Sequence, residues 1–105
     1  MKTYRVVVTP DAENDFKERL AHIKEVFKNS QAAKSVLDDY KRTRKALSTV
    51  AGSIAEPDSM KLRQRGLKRM NFQSHNYFIL FRIVENRAEI TNVFHFLEDY
   101  ENKLR

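Results

Sequence analysis

The chain has 105 residues, 41% of them apolar and 32% charged, with two Gly, two Pro and no Cys. One domain over residues 1–105 with a modest core follows, and disordered, collagen-like and disulfide-stapled classes, thiolate metal sites and cysteine nucleophiles are excluded. Twenty Lys and Arg against fourteen Asp and Glu give a net charge of +6, which attracts polyanions or an acidic protein partner.

Residues 4–8, Tyr-Arg-Val-Val-Val, are aromatic and β-branched and predict a strand. Thr9-Pro10-Asp11 reads as a helix start, with Thr9 as cap and Pro10 at the first helical position. Apolar residues at Ala12, Phe16, Leu20, Ile23 and Phe27 follow at helical spacing. Glu13 with Lys17 and Asp15 with Arg19 are i,i+4 pairs for its wet face. Asn29-Ser30 interrupts the pattern, and Ser30 is the expected cap of a second helix. The stripe of that helix is Ala33, Leu37, Tyr40, Leu47 and Val50, and Gly52 is its expected stop. Residues 52–60 read as a loop.

The last third is strand-like. Leu67–Phe72 is one candidate strand, residues 73–76 a turn, and Tyr77–Val84 a strand apolar on both faces, as a central strand should be. Residues 85–87 form a second turn and Glu89–Phe94 the next strand. Two tight turns in succession predict an antiparallel meander. Residues 97–105 read as a short helix or tail. The expected fold class is therefore α+β, in the order β-α-α-β-β-β. The N-terminal helical hairpin packs on one face of a small antiparallel, mixed-order sheet, and the other face is expected to stay partly concave and open. The apolar runs are too short to span a membrane, and the first residues lack the apolar stretch of a secretion signal. A cytoplasmic protein is expected.

The charge is uneven. Residues 61–82 carry six basic side chains and no acid. Lys61, Arg63, Arg65, Lys68 and Arg69, with Arg82 beyond them, are candidates for holding a nucleic-acid backbone or another target. Alternation along a strand would set Arg63, Arg65 and Arg69 on one side. A solvated edge that blocks strand pairing is the competing reading. Lys41-Arg42-Thr43-Arg44-Lys45 reads as a solvated helix face, with Asp38 pairing Arg42.

None of the three histidines has metal-ligand spacing. His22 lies beside the core stripe and reads as structural, and His75 lies in a turn and reads as exposed. His95 ends the last strand, where an imidazole on the open face could serve as a general base. Glu98-Asp99 could orient such a base or cap a helix. There is no Gly-rich phosphate loop, nucleophile elbow or zincin motif, so neither a metal nor a small-molecule cofactor is expected. Any catalysis falls to Arg, Lys, His and Tyr, a palette suited to metal-free RNA cleavage.

The run Leu67-Lys-Arg-Met-Asn-Phe-Gln-Ser-His-Asn-Tyr-Phe-Ile-Leu-Phe-Arg-Ile-Val84 resembles the RelE/ParE toxin superfamily. Ile90-Thr-Asn-Val-Phe-His95 and the opening Tyr4-Arg-Val-Val-Val-Thr-Pro-Asp-Ala12 extend the resemblance over nearly the whole chain. It implies a growth-inhibiting toxin of a type II toxin–antitoxin pair, neutralised by a cognate antitoxin. Its target would be DNA gyrase, as for ParE-like members, or mRNA on the ribosome, as for RelE-like endoribonucleases. An inactive antitoxin-binding member is a third reading. RelE-like nucleases resemble one another in an Arg after the position of Phe72, where this chain has Gln73, and in basic or aromatic residues after the last strand, where only Tyr100 fits. The Ser74-His75 turn, the Phe81-Arg82 pair and the Val93-Phe94-His95 end resemble ParE-like members more closely. Were the chain a ribonuclease, His95, Arg69 and Tyr100 would be its catalytic residues.

Overall fold

The computed structural model describes residues 2–104. The elements are β1 (Arg5–Val8), α1 (Pro10–Val26), α2 (Ser30–Val50), a 3-10 turn (Ala51–Ser53), α3 (Met60–Gln64), β2 (Lys68–Asn71), β3 (Tyr77–Val84), β4 (Arg87–His95) and α4 (Tyr100–Lys103). Thr9 caps α1, its hydroxyl accepting the Ala12 N–H at 3.3 Å, with Pro10 in the first turn. The cap of α2 is Asn29 rather than Ser30, because its carboxamide accepts the Ala32 N–H at 2.9 Å. Gly52 does not end α2 through a left-handed turn. It lies in the 3-10 turn against Tyr4, whose phenol oxygen would meet an added Cβ at 2.6 Å. α3 starts at the last residue of the predicted loop and runs through residues for which the sequence predicts no element; Ser59 caps it and its Leu62 is buried.

The sheet order is β1-β4-β3-β2. β1 runs parallel to β4, and the other two pairings are antiparallel. The meander and the joining of the N-terminal strand to it are as the turn signals predict. One irregularity lies between Leu80 and Phe81: Leu80 faces Asn92 and Phe81 faces Ile90, which leaves Thr91 as the extra residue of a bulge. The bulge shifts the alternation of β4, so Ala88, Ile90 and Val93 all reach the same buried layer despite uneven spacing.

That layer lies between the sheet and the α1–α2 hairpin. Phe16, Ile23, Val36, Tyr40 and Leu47 pack on Phe72, Ile79, Phe81, Ile90 and Val93. Thr43 is buried in the stripe, and its hydroxyl returns to the Asp39 carbonyl at 2.8 Å. A second cluster of Leu62, Leu67, Phe78, Leu80, Phe94 and Leu104 covers the opposite face, with Tyr100 against it. The second face is open only in part: α3 and the C-terminal segment bury its centre. An eight-residue strand with apolar side chains in both directions demands a cover on each side.

Three local readings also change. Arg42 approaches Asp39 at 3.5 Å rather than Asp38. His22 is exposed and meets Phe27 edge-on at 5.6 Å. His75 is only partly exposed and is tied to the Asp39 carboxylate at 2.7 Å. Glu13 and Lys17 pair at 3.2 Å, whereas Arg19 turns to Glu98.

Candidate functional site

The cations of the 61–82 run do not form one strand-borne row. Arg63 stands on α3, Arg65 follows that helix, and only Lys68 and Arg69 lie on β2. β2 alternation then separates those two. Lys68 lies opposite Phe81, on the hairpin side, and donates to the Ile54 carbonyl at 2.8 Å. Arg69 lies opposite Leu80, on the second face. Its guanidinium carbon sits 3.8 Å over the Phe78 ring and 5.2 Å from the Phe96 ring, and its Nε donates to Asn71 Oδ1 at 2.9 Å. Lys61 donates to the Glu101 carbonyl and so ties α3 to α4.

Tyr100 meets Phe78 edge-on at 5.3 Å. Arg69, Asn71, Leu62, Ser59, Pro57 and Tyr100 line a surface cavity of about 510 Å³. Arg82 is exposed on the same face, and its Nε donates to Glu89 Oε1 at 2.9 Å. The Arg82 hydrogen bond, with Arg87 beside it, holds the Glu89 carboxyl below its ordinary pKa against the opposing effect of desolvation.

A larger groove of about 780 Å³ runs between α1 and the second face. Arg19, Arg65, Arg82 and Lys103 contribute its cations, and Asp11, Asp15 and Glu18 its acids. α1 sends two side chains from one helix face to the part of β4 that β1 does not reach. Asp15 accepts the Val93 N–H at 3.2 Å. Arg19 meets Glu98 at 2.5 Å, and Glu98 in turn accepts the His95 N–H at 2.8 Å and pairs with Lys103 at 2.9 Å. Carboxylates thus satisfy the N–H groups that a neighbouring strand would take. Burial raises Asp15 above its ordinary value despite these hydrogen bonds. Burial acts in the same sense on Glu98, but the His95 N–H, Lys103 and Arg19 outweigh it and hold that carboxyl low.

Glu98→Ala would leave Arg19, whose side chain is 24% exposed, without its carboxylate and the His95 N–H without an acceptor. The expected loss is about 2 kcal/mol of unfolding free energy at pH 7, read from urea curves. An unchanged midpoint would mean that the hub carries no stability.

His95 lies on the other side of the sheet from Arg69. It pairs with Tyr77, its ring stands edge-on to Tyr77 at 4.9 Å, and its Nδ1 accepts the Leu97 N–H at 3.1 Å. The structure therefore brings Arg69 and Tyr100 to one cavity, ties Lys61 to Glu101 beside Tyr100, and leaves His95 on the hairpin side. Among the described residues no group of three or more His, Asp or Glu is arranged to hold a metal ion. Sequence reading missed the linking roles of Asp15, Arg19 and Asp39. Position 39 falls between Val36 and Thr43 on the buried stripe, and that helical register was the signal for it.

No family model matches the sequence, and no curated protein sequence does. Solved structures do match. The chain superposes on a chain of the chromosomal ParDE toxin–antitoxin system from P. aeruginosa with a TM-score of 0.74, at 18% identity, over 89% of this chain and 96% of that one. It also superposes on a chain of the RelBE2 toxin–antitoxin complex from Mycobacterium tuberculosis, with a TM-score of 0.59, at 20% identity, over 90% and 93%. The fold shared with these two chains is a helical hairpin on a small mixed four-stranded sheet.

Proposed function

We propose that this chain is the growth-inhibiting toxin of a type II toxin–antitoxin pair, kept silent by a cognate antitoxin in the cytoplasm, and that it acts on DNA gyrase in the manner of ParE. The fold supports the toxin role, since it is shared almost end to end with chains of two toxin–antitoxin complexes. The net charge of +6 suits an acidic antitoxin.

The observation that carries the choice of target is the placement of His95. General acid–base cleavage of RNA needs a proton-transfer group within hydrogen-bond reach of the atoms that cations stabilise. The sheet separates His95 from Arg69 and Tyr100, and Arg69 is engaged with Phe78 and Asn71. Gln73 stands where the nuclease resemblance asks for Arg, and it lies in an exposed turn. A toxin that binds rather than cuts needs no such convergence.

The purified chain is expected to inhibit gyrase supercoiling and to raise the level of cleaved-DNA complexes. In a translating ribosome system it is expected to leave mRNA 5′ ends unchanged. Cuts confined to ribosome-occupied codons, with gyrase untouched, would replace this reading with the endoribonuclease. Absence of growth arrest on induction would leave an inactive antitoxin-binding member.

A further inference from the structure

The tip of the α1–α2 hairpin departs from the pattern of the rest of the molecule. The stripe of α1 is buried as far as Ile23, but Val26 and Phe27 at its end are 59% and 66% exposed. Neither packs against the core. The Phe27 ring meets His22 edge-on at 5.6 Å and 84°. Lys28 takes a left-handed φ of 52°, and Asn29 closes the turn by capping α2 through the Ala32 N–H. A left-handed residue just past a helix end is the position where Gly is free of strain. This chain places a lysine there, which adds a cation beside the exposed ring.

Lys24 and Lys34, before and after it in the chain, are exposed. The segment 22–34 holds three lysines and a single acid, Glu25. An apolar anchor with a basic rim has the anatomy of a binding hot spot.

We propose that this tip, Phe27 and Val26 within a rim of Lys24, Lys28 and Lys34, is the surface by which the chain docks onto its protein target, and that the target offers an apolar pocket edged with acidic side chains. The inference rests on the toxin reading above and names the docking surface it lacks. The charge of the rim selects an acidic partner. Two apolar side chains, Val26 and Phe27, offer less surface than the single acyl chain that gives only marginal membrane binding, so a shaped protein pocket is favoured over a lipid surface. The convex tip suits a concave target. A segment that wraps the chain would instead use the groove between α1 and the second face or the free edge at β2.

The test compares the wild-type chain with Phe27→Ser, Phe27→Leu and Lys28→Glu. The readouts are survival after induced expression, melting temperature and binding to purified gyrase. Because the ring is exposed, Phe27→Ser is expected to keep the wild-type melting temperature while raising survival by about 100-fold or more. Phe27→Leu is expected to restore part of the arrest, and Lys28→Glu to weaken gyrase binding about tenfold. Full arrest by both Phe27→Ser and Lys28→Glu would overturn the proposal. So would a wild-type dimer that Phe27→Ser converts to monomer, which would make a second copy the occupant. Sedimentation of the wild type, but not Phe27→Ser, with phosphatidylglycerol vesicles would overturn it in favour of lipid. Should the wild type arrest growth without binding gyrase while Phe27→Ser fails to arrest, the gyrase reading falls and the docking surface stands. Should the wild type itself fail to arrest growth, both fall.

Discussion

Replacing Asp39 by Ala is expected to lower the free energy of unfolding by about 3 kcal/mol, whereas Asp38→Ala should change it by less than about 0.5 kcal/mol. The two residues adjoin on α2, but Asp38 is exposed and Asp39 is fully buried. The Asp39 carboxylate accepts the Gln73 N–H at 3.1 Å, the Ser74 N–H at 2.9 Å and His75 Nδ1 at 2.7 Å. It thereby ties the β2–β3 turn to the middle of α2. His75 passes the link on to Ser35 Oγ at 3.2 Å. Alanine would strand two backbone donors and remove the partner of a charged or polar ring, and an unsatisfied buried group is more destabilising than a lost exposed bond. Urea unfolding at pH 7 measures the difference. Equal midpoints for the Asp38 and Asp39 variants would show that the turn holds without its carboxylate.

The same carboxylate sets part of the pH response. Burial pushes Asp39 upward, but the hydrogen bonds from His75, Ser74 and Gln73 prevail and hold it below its ordinary value of 3.8. Glu98 and Glu89 are also held low, and Asp15 alone among the shifted carboxyls is raised. A carboxyl whose folded pKa is depressed contributes stability that is fully present above its unfolded pKa and is lost as pH falls through the folded value, because the unfolded chain then binds more protons. Stability should therefore hold from neutral pH down to the ordinary carboxylate range and fall below it. Asp15 acts in the opposite sense and blunts the fall. Asp39→Asn should fall less steeply than the wild type below pH 4 in a series of thermal melts. Parallel curves would assign the acid sensitivity to the other carboxyls.

Much of this fold is legible in the chain because its signals are local. Thr9-Pro10 starts a helix through cap chemistry within four residues, and Tyr77–Val84 announces a central strand by its own composition. The tight turns then leave an antiparallel meander as the short connection. The missed features depend on distant partners. α3 is five residues long and lies under Leu67, Phe78 and Leu104, contacts that no window of sequence contains. The bulge at Thr91 follows from pairing with β3. His75 reads as an exposed turn residue until α2 brings Asp39 beneath it. For the candidate site, the basic run was visible as composition. Its division between the two sheet faces was not, because α3 ends and β2 begins inside it. That division places Arg69 with Tyr100 and sends Lys68 to the hairpin side.

Phe78→Ala is expected to be the most damaging substitution considered, at about 4 kcal/mol, since it removes a fully buried ring from a packed layer. Its effect should also be local in a way that identifies what the second face holds. Phe78 supports the Arg69 guanidinium at 3.8 Å, Tyr100 at 5.3 Å, Phe94 at 5.9 Å and Phe96 at 6.1 Å. Without the ring, the C-terminal segment keeps the polar ties of Glu98, Lys103 and Glu101, the Tyr100 contact with Phe94 at 6.2 Å and the small apolar contact of Leu104. Phe81 is equally buried but faces the hairpin, among Phe16, Tyr40 and Val93 and their neighbours. Phe81→Ala should lose a similar amount of stability by urea unfolding while leaving the C-terminal segment docked. Native-state hydrogen exchange separates the two: the Leu104 N–H, which donates to the Tyr100 carbonyl at 3.0 Å, should exchange faster in Phe78→Ala and not in Phe81→Ala once global stability is matched. Phe78→Leu, which keeps most of the volume, should lose about 1.5 kcal/mol and leave Arg69 with the Phe96 ring alone, at 5.2 Å. Identical exchange patterns in the two alanine variants would mean that both sheet faces open as one unit. The C-terminal segment could then not be released from the cation-bearing face without unfolding the helical hairpin as well.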